Sequence, residues 1–341
     1  MGEMKFGDAI QDAIAQSMSA DPRIILIGED IHAYRMKLFI QFGKERLLTT
    51  PISEIGFLGA AVTASMAGLR PIVDLTLVDF VAVAMDPLIN HAAKLEVFSG
   101  GKWNAPLVVW AACGGGYGDG GQHEQSLWGW LAHIPGLTVV VPSNPADAGG
   151  MMTAAIEHEN PVIFLEHKML ADYWLEWMGG SWRETIHFDV PAEGIAGPVP
   201  KKWAAIPFGK AAIRKEGNDL TIFSVGMGVH QSLEAAKVLE KHHISAGVVD
   251  LRSVSPLDVE TICSTMAVTG NMIVVDEDYR GFGLSAEVAA VALEAGLKFN
   301  YRRVCTNGTI PYARHLEEQV LPNTNRILEA VVDLLDTNLP I

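Results

Sequence analysis

The hydrophobic and polar positions of this chain alternate between two periods. Helix-period stretches at Phe6–Ser19, Tyr34–Arg46, Leu77–Val97, Ser126–His133 and Pro145–His158 are interleaved with short, almost wholly apolar runs at Arg23–Asp30, Arg70–Leu75, Pro106–Ala111, Leu137–Val141 and Pro161–Glu166. Apolar runs of that length, without the alternation of a half-exposed strand, predict a parallel sheet covered on both faces. From Trp174 to Trp203 the pattern gives way to Gly, Pro and Trp, which marks an interdomain connector. A second set then follows. Strands are expected at Leu220–Val225, Ala246–Leu251 and Asn271–Asp276, and helices at His230–Lys241, Asp258–Thr265, Ser285–Ala295 and Asn325–Asp336. The expectation is α/β, with two doubly wound domains: 1–178, a linker over 179–205, and 206–341.

Composition narrows the function. The chain has 341 residues, 49% of them hydrophobic, which suffices for two domains. No apolar run reaches the roughly 18 residues of a membrane span, so the excess of apolar side chains points to subunit interfaces. A net charge of −15 with no dense Lys/Arg cluster argues against nucleic acid as partner. Cys113, Cys263 and Cys305 have neither metal-ligand nor redox-pair spacing, and Met1–Asp8 has no apolar leader core. A reducing compartment, the cytoplasm, is therefore the expected location.

Two stretches carry candidate chemistry. In Thr50–Ala61, Ser53 is placed to cap a helix. Glu54 then lies in its first turn, where the helix dipole favours a carboxylate, and Gly56, Gly59 and Ala60 leave the helix surface open to close approach. On local chemistry alone Glu54 reads first as the completion of a helix start. The loop Cys113–His123 formally contains G-x-G-x-x-G, but the next strand ends in Pro142-Ser143-Asn144 with no acid to hold a ribose. Gly118-Asp119-Gly120 with Asn144 is an equally superficial match to a diphosphate-metal motif. A better use of the glycines is to present His123, whose imidazole can hydrogen-bond or move a proton near neutrality. Its alternative is a loop histidine that caps the following helix.

Taken together, Thr50-Pro51-Ile52-Ser53-Glu54-x-Gly56-Phe57, Ala67-Gly68-Leu69-Arg70-Pro71, Asp79-Phe80, Asn90-x-Ala92-Ala93-Lys94, Ser99-Gly100-Gly101, Gln122-His123, His133-Ile134-Pro135-Gly136-Leu137 and Asn160-Pro161 resemble the beta subunit of the thiamine-diphosphate-dependent decarboxylating component of 2-oxo acid dehydrogenase complexes. Asp250-Leu251-Arg252, Pro256-Leu257-Asp258, Gly281-Phe282-Gly283 and Pro311-Tyr312-Ala313 extend the likeness over almost the whole chain.

The resemblance implies a transketolase-like pyrimidine-binding domain followed by a transketolase C-terminal domain. It implies an α2β2 heterotetramer in which the alpha chain holds the Mg2+-diphosphate end of thiamine diphosphate. Glu54 matches the glutamate that hydrogen-bonds the aminopyrimidine and activates the cofactor, Phe80 the aromatic residue beside that ring, and His123 the histidine that acts on the substrate carbonyl or on transfer to a lipoyl group. A lipoyl acyltransferase core is the implied acceptor and a small 2-oxo acid the substrate. Acetoin cleavage, transketolase-like ketol transfer or a silent assembly subunit are the alternatives. Some members bind potassium at positions matching Leu107, Ala155, Ile156, His158 and Asn160. Here His158 replaces a side-chain oxygen, and imidazole is a poor ligand for a hard cation.

Two departures stand out. The segment after Asp30 lacks the family's Gly-Gly-x-Phe. His-Ser-Gln is His123-Glu124-Gln125, with Glu124 expected to point to solvent at a helix start. Were it instead to lie close to the imidazole, it would raise that ring's pKa.

Overall fold

A computed structural model of the chain describes residues 2–171 and 191–337; the expected linker residues 179–190 lie outside them. The strands are β1 (Gly2–Lys5), β2 (Ile24–Glu29), β3 (Leu47–Thr50), β4 (Arg70–Leu77), β5 (Val108–Cys113), β6 (Thr138–Val140), β7 (Val162–His167), β8 (Ala196–Val199), β9 (Ala212–Lys215), β10 (Leu220–Ser224), β11 (Ala246–Asp250), β12 (Ser253–Ser255), β13 (Asn271–Tyr279) and β14 (Asn300–Thr306). They form a seven-stranded sheet in the order β12-β6-β7-β5-β4-β2-β3 and a five-stranded sheet in the order β14-β13-β10-β11-β9.

The first sheet is parallel apart from β12, and the second apart from β9. β5 and β7 are buried along their whole length because helices or loops cover both faces, which is why their sequences read as unbroken apolar runs. Helix Phe6–Ala20 turns Phe6, Ile10, Ala13 and Ile14 inward and packs along helix Pro145–Glu157.

Most expected elements are present, and two differ for identifiable reasons. Tyr34–Arg46 is two short helices, Ile31–Tyr34 and Met36–Phe42, broken at Arg35. Arg35 turns inward: its Nε donates to Asp74 at 2.7 Å and its guanidinium lies 3.6 Å above the Trp110 ring. Leu77–Val97 is not one α-helix. It runs as a 3-10 helix (Val78–Ala84), a π turn (Pro87–His91), a 3-10 turn (Ala92–Lys94) and one α turn (Leu95–Phe98). Pro87, lacking an N–H, interrupts the ladder inside that stretch. Elements with no expected counterpart include β3, the antiparallel β9, β14 and helix Arg314–Val320.

The described part of the connector is anchored to the N-terminal half. β8 pairs antiparallel with β1, and Trp203 is buried, its indole N–H donating to Asp12 at 2.8 Å. Its ring occupies the space that a Cβ on Gly149 would need. The C-terminal half returns the contact through β12, which adds Ser253 to the edge of β6.

Beside that edge, buried Asp147 in the first turn of helix Pro145–Glu157 accepts from Arg252 at 2.6 and 2.8 Å and pairs with Arg214. Arg214 also bonds Asp250 at 2.7 Å, and Ser143 donates to Asp250 at 2.5 Å. Burial raises the Asp147 pKa, but the bond from Arg252 and the charges of both arginines more than offset it, so the carboxyl stays below the usual range. Asp147→Asn leaves two partly buried guanidinium groups short of a counter-charge. It is expected to lower unfolding free energy by about 3 kcal/mol, measured by denaturant titration; a loss within the error of zero would show that the ion pairs hold nothing together.

Candidate active site

The parallel strands of the first sheet all end at one edge, where such folds bind ligands. β2 delivers Glu29. β3 leads through Ser53 to Glu54, in the first turn of helix Glu54–Met66, which packs against the 3-10 helix that follows β4. That helix supplies Asp79 and Phe80, β5 opens into the glycine loop that ends at His123, and β7 ends in His167 and Lys168. Ser53 sits at the cap position without a side-chain capping bond; its carbonyl accepts from Gly56 and Phe57 at 2.9 and 3.0 Å.

Phe80 and His123 meet edge to face, ring centres 6.1 Å apart. The His123 Nδ1 lies 3.3 Å from the Asp119 carbonyl. A carbonyl only accepts, so this contact puts a proton on Nδ1 and, in the neutral ring, leaves Nε2 with its lone pair. Lys168 Nζ donates to the His123 carbonyl. Glu54 is half-buried, and its charge is felt by Glu29, whose pKa is raised first by burial and next by Glu54. Two carboxylate oxygens at this edge, Glu29 Oε2 and Asp79 Oδ2, are buried with no hydrogen-bond partner among the described residues. They are acceptors placed for a polar ligand that brings its own N–H groups.

The glycine loop is not an empty phosphate cradle. Gly115 N–H donates to Glu277 at 2.7 Å, Gly116 to Glu317 at 2.6 Å, and Tyr117 and Gly120 to the two oxygens of Glu124 at 2.7 and 3.0 Å. The amides of Gly114 and Gly121 bond the carbonyls of Gln125 and Ile310. Phosphate oxygens would have to displace three internal carboxyls, so the dinucleotide reading fails on donors already used. The second decoy fails too: Asn144 caps helix Pro145–Glu157, accepting from Asp147 N–H at 3.0 Å.

The positive φ of Gly114, +90°, and the lack of a Cβ there let the loop pass directly over the His167 ring. His167 Nδ1 accepts from Met169 N–H, which leaves Nε2–H to donate to Glu277 at 2.8 Å.

The expectation that Glu124 faces solvent is wrong. Its exposure is 0%, because the loop folds its own amides around the carboxyl and helix Arg314–Val320 closes it from the other side. Its pKa is pushed up to about 8, first by burial and then by the hydrogen bond to Glu317. Tyr117, its OH bonded to the Lys168 carbonyl at 2.9 Å, seals the cluster. Gln125, next in the chain, donates to Asp79 at 2.8 Å and accepts from Tyr279 at 3.0 Å.

Sequence reasoning missed Lys168, Glu277 and Glu317. Only Lys168 carried a local signal: polar residues directly after an all-apolar strand, where strand ends meet a site.

The five candidate potassium positions lie near one another around a different cation. Arg70 donates to the carbonyls of Ile156 at 2.8 Å and His158 at 2.7 Å, and pairs with Glu159 at 2.9 Å. The Leu107 carbonyl accepts from Val162, that of Ala155 from His158, and that of Asn160 lies 3.0 Å from His158 Nδ1. Each of these five carbonyls already accepts or faces a hydrogen-bonding group of the chain.

The chain matches two family models, the transketolase pyrimidine-binding domain over residues 2–172 and the transketolase C-terminal domain over residues 209–327. It is 36% identical to the Bacillus subtilis acetoin:2,6-dichlorophenolindophenol oxidoreductase subunit beta, with 97% of each chain covered. It is 35% identical to the 2-oxoisovalerate dehydrogenase subunit beta of the same organism, covering 98% of this chain and 100% of that one. With the rice mitochondrial pyruvate dehydrogenase E1 component subunit beta-2 it shares 36% identity over 96% of this chain and 85% of the relative. A solved split-gene transketolase, described as an inactive beta4 tetramer, has the same fold with a TM-score of 0.77 at 22% identity, covering 98% of this chain and 99% of that one. The chain belongs to the family of 2-oxo acid dehydrogenase-type E1 beta subunits, built from the transketolase pyrimidine-binding and C-terminal domains.

Proposed function

We propose that this chain is the beta half of a thiamine-diphosphate-dependent enzyme that decarboxylates a 2-oxo acid and passes the acyl group to a lipoyl acceptor. The observation that carries the reading is the gathering of Glu54, Phe80 and His123 at one strand-end edge, beside a glycine loop whose amides are already bonded. An aminopyrimidine fits what this edge offers: a half-buried carboxylate, an aromatic ring, and the acceptors Glu29 Oε2 and Asp79 Oδ2. Four of the loop's amides end on internal carboxyls, which supports the diphosphate's being held with Mg2+ by an alpha chain.

When bound, thiamine diphosphate supplies the electron sink that decarboxylation of a 2-oxo acid requires. The chain's own residues do the remainder. Glu54 hydrogen-bonds and orients the aminopyrimidine, Phe80 packs beside it, and His123 uses Nε2 to hold or move a proton at the substrate carbonyl oxygen. The Asp119 carbonyl holds that ring and Lys168 anchors the His123 backbone.

The surface supports an alpha partner. Ile55 and Met66 on helix Glu54–Met66 are exposed, as are Val83, Val97, Phe98 and Trp103 nearby. An apolar surface beside the site suits a chain that completes it. An α2β2 assembly is the arrangement we propose. Among the described residues no helix is long and apolar enough to cross a membrane. Cleavage of acetoin is the second reading, favoured by the two acetoin oxidoreductase relatives at 36% and 37% identity. Steady-state assays of the assembled enzyme on a panel of 2-oxo acids and on acetoin separate the two.

Glu54→Gln, assembled with the alpha chain, is expected to lose about 10³-fold or more in kcat while its circular dichroism and melting temperature stay unchanged. Retained turnover would reject the role of Glu54. Met66→Glu is expected to abolish co-purification with the alpha chain without lowering the melting temperature of the beta chain, because it charges an exposed apolar position and leaves the core alone. An intact heteromer would move the interface elsewhere.

A further inference from the structure

The mechanism above gives no part to the buried pair Glu124–Glu317, although the loop that carries His123 is built around it. Glu124 and Glu317 are each 0% exposed. Together their oxygens accept three amides of one short loop, those of Gly116, Tyr117 and Gly120. The amides of Gly116 and Tyr117 are neighbours in the chain, so the two buried carboxyls that accept them lie close together, and, after burial, Glu317 is a cause of the raised Glu124 pKa. Two ionised carboxylates have acceptors only, so the two can bond each other only while the pair holds a proton.

Every element packed on the pair has a defined charge. The loop contributes Tyr117, Asp119 and His123, and helix Arg314–Val320 contributes Arg314, bonded to Glu317 at 3.2 Å. The turn after β7 contributes buried Lys168, whose own pKa is lowered by burial although the charges of Glu124, Asp79 and Asp119 pull it upward. With one partly exposed arginine and one desolvated lysine facing it, the pair is not stabilised as a dianion.

We propose that Glu124 is a positioning residue for His123. Its carboxyl works in the protonated form, sharing a hydrogen with Glu317 so that residues 116–120 keep the shape that sets the imidazole against Phe80. Loss of that proton to solvent puts two like charges side by side, and the loop opens. This rests on the reading of His123 as the group that acts on substrate. The sign follows from linkage. In the closed loop Glu124 holds its proton up to about pH 8, against an ordinary value of 4.5, so the closed form is fully supported at low pH and that support drains away as pH rises toward 8.

The test uses the full chain and, for activity, the chain assembled with its alpha subunit. An infrared titration of the full chain from about pH 6 to about pH 10 should show a protonated carboxylic-acid carbonyl band that disappears with a midpoint near pH 8. Amide exchange of residues 115–123, corrected for the intrinsic base-catalysed rate, should lose protection from about pH 6 to about pH 8, by at most about tenfold per pH unit, and level off above that. In Glu124→Gln, which keeps one acceptor and an N–H for Glu317 but cannot ionise, the band should be missing and loop protection level with pH. The unsubstituted enzyme, assembled with its alpha subunit, should show an alkaline fall in kcat that the assembled variant lacks.

No band at pH 7, a midpoint below about 6, or loop protection that follows pH equally in both proteins would each overturn the proposal. If the variant does not fold, the band and loop exchange of the unsubstituted chain still decide, because the two must titrate together. His123→Ala separates the two levels of inference. Turnover retained in that enzyme would refute the role of His123 while leaving the titration of Glu124 unchanged.

Discussion

The arrangement of this molecule hangs on backbone amides that find carboxyl partners inside the protein. Six N–H groups of the glycine loop, from Gly114 to Gly121, are bonded, and four of them end on Glu277, Glu317 and Glu124. A loop of this kind exposes its backbone because glycine offers no side chain to cover it, and buried amides left unpaired would each cost about 1–3 kcal/mol. Two of the three acceptors come from the C-terminal half, Glu277 on β13 and Glu317 on helix Arg314–Val320. The shape of the candidate site in one domain is therefore dictated by acids in the other. His123 is presented at the end of a segment that neither half could form alone.

The same dependence appears at the far side of the first sheet. β12 adds an antiparallel strand to β6, and Asp147 draws in Arg214 and Arg252 across the boundary. Inter-domain contacts of ordinary size permit relative motion. Here a shared sheet edge with its charged network, and the loop carboxyls elsewhere, tie the two halves at two places, so they have few independent degrees of freedom. That rigidity suits a chain meant to offer a preformed face to a partner, since little ordering is then left for association to impose.

Much of this was readable in the sequence because apolar periodicity reports burial. β2, β5, β7, β10 and β11 are covered on both faces, and their residues could hardly read otherwise. What escaped were elements whose identity is set from a distance. β9 and β14 lie at sheet edges and carry arginines and lysine, so period-two alternation is blurred. Pro87 broke an expected helix that composition alone favoured. Of the candidate site, Phe80 and His123 proved to be neighbours, whereas Glu124 was misjudged. Its partner Glu317 is 193 residues away, and nothing local distinguishes a buried acid held by remote amides from one at an exposed helix start.

Arg70 illustrates a different economy. A free ion secures a structure only in proportion to its concentration relative to its dissociation constant. The guanidinium that bridges the Ile156 and His158 carbonyls is tethered by the chain itself, so its local concentration is fixed by covalent bonds. The corner it closes, where β4 meets the end of helix Pro145–Glu157, is thereby held by the chain itself.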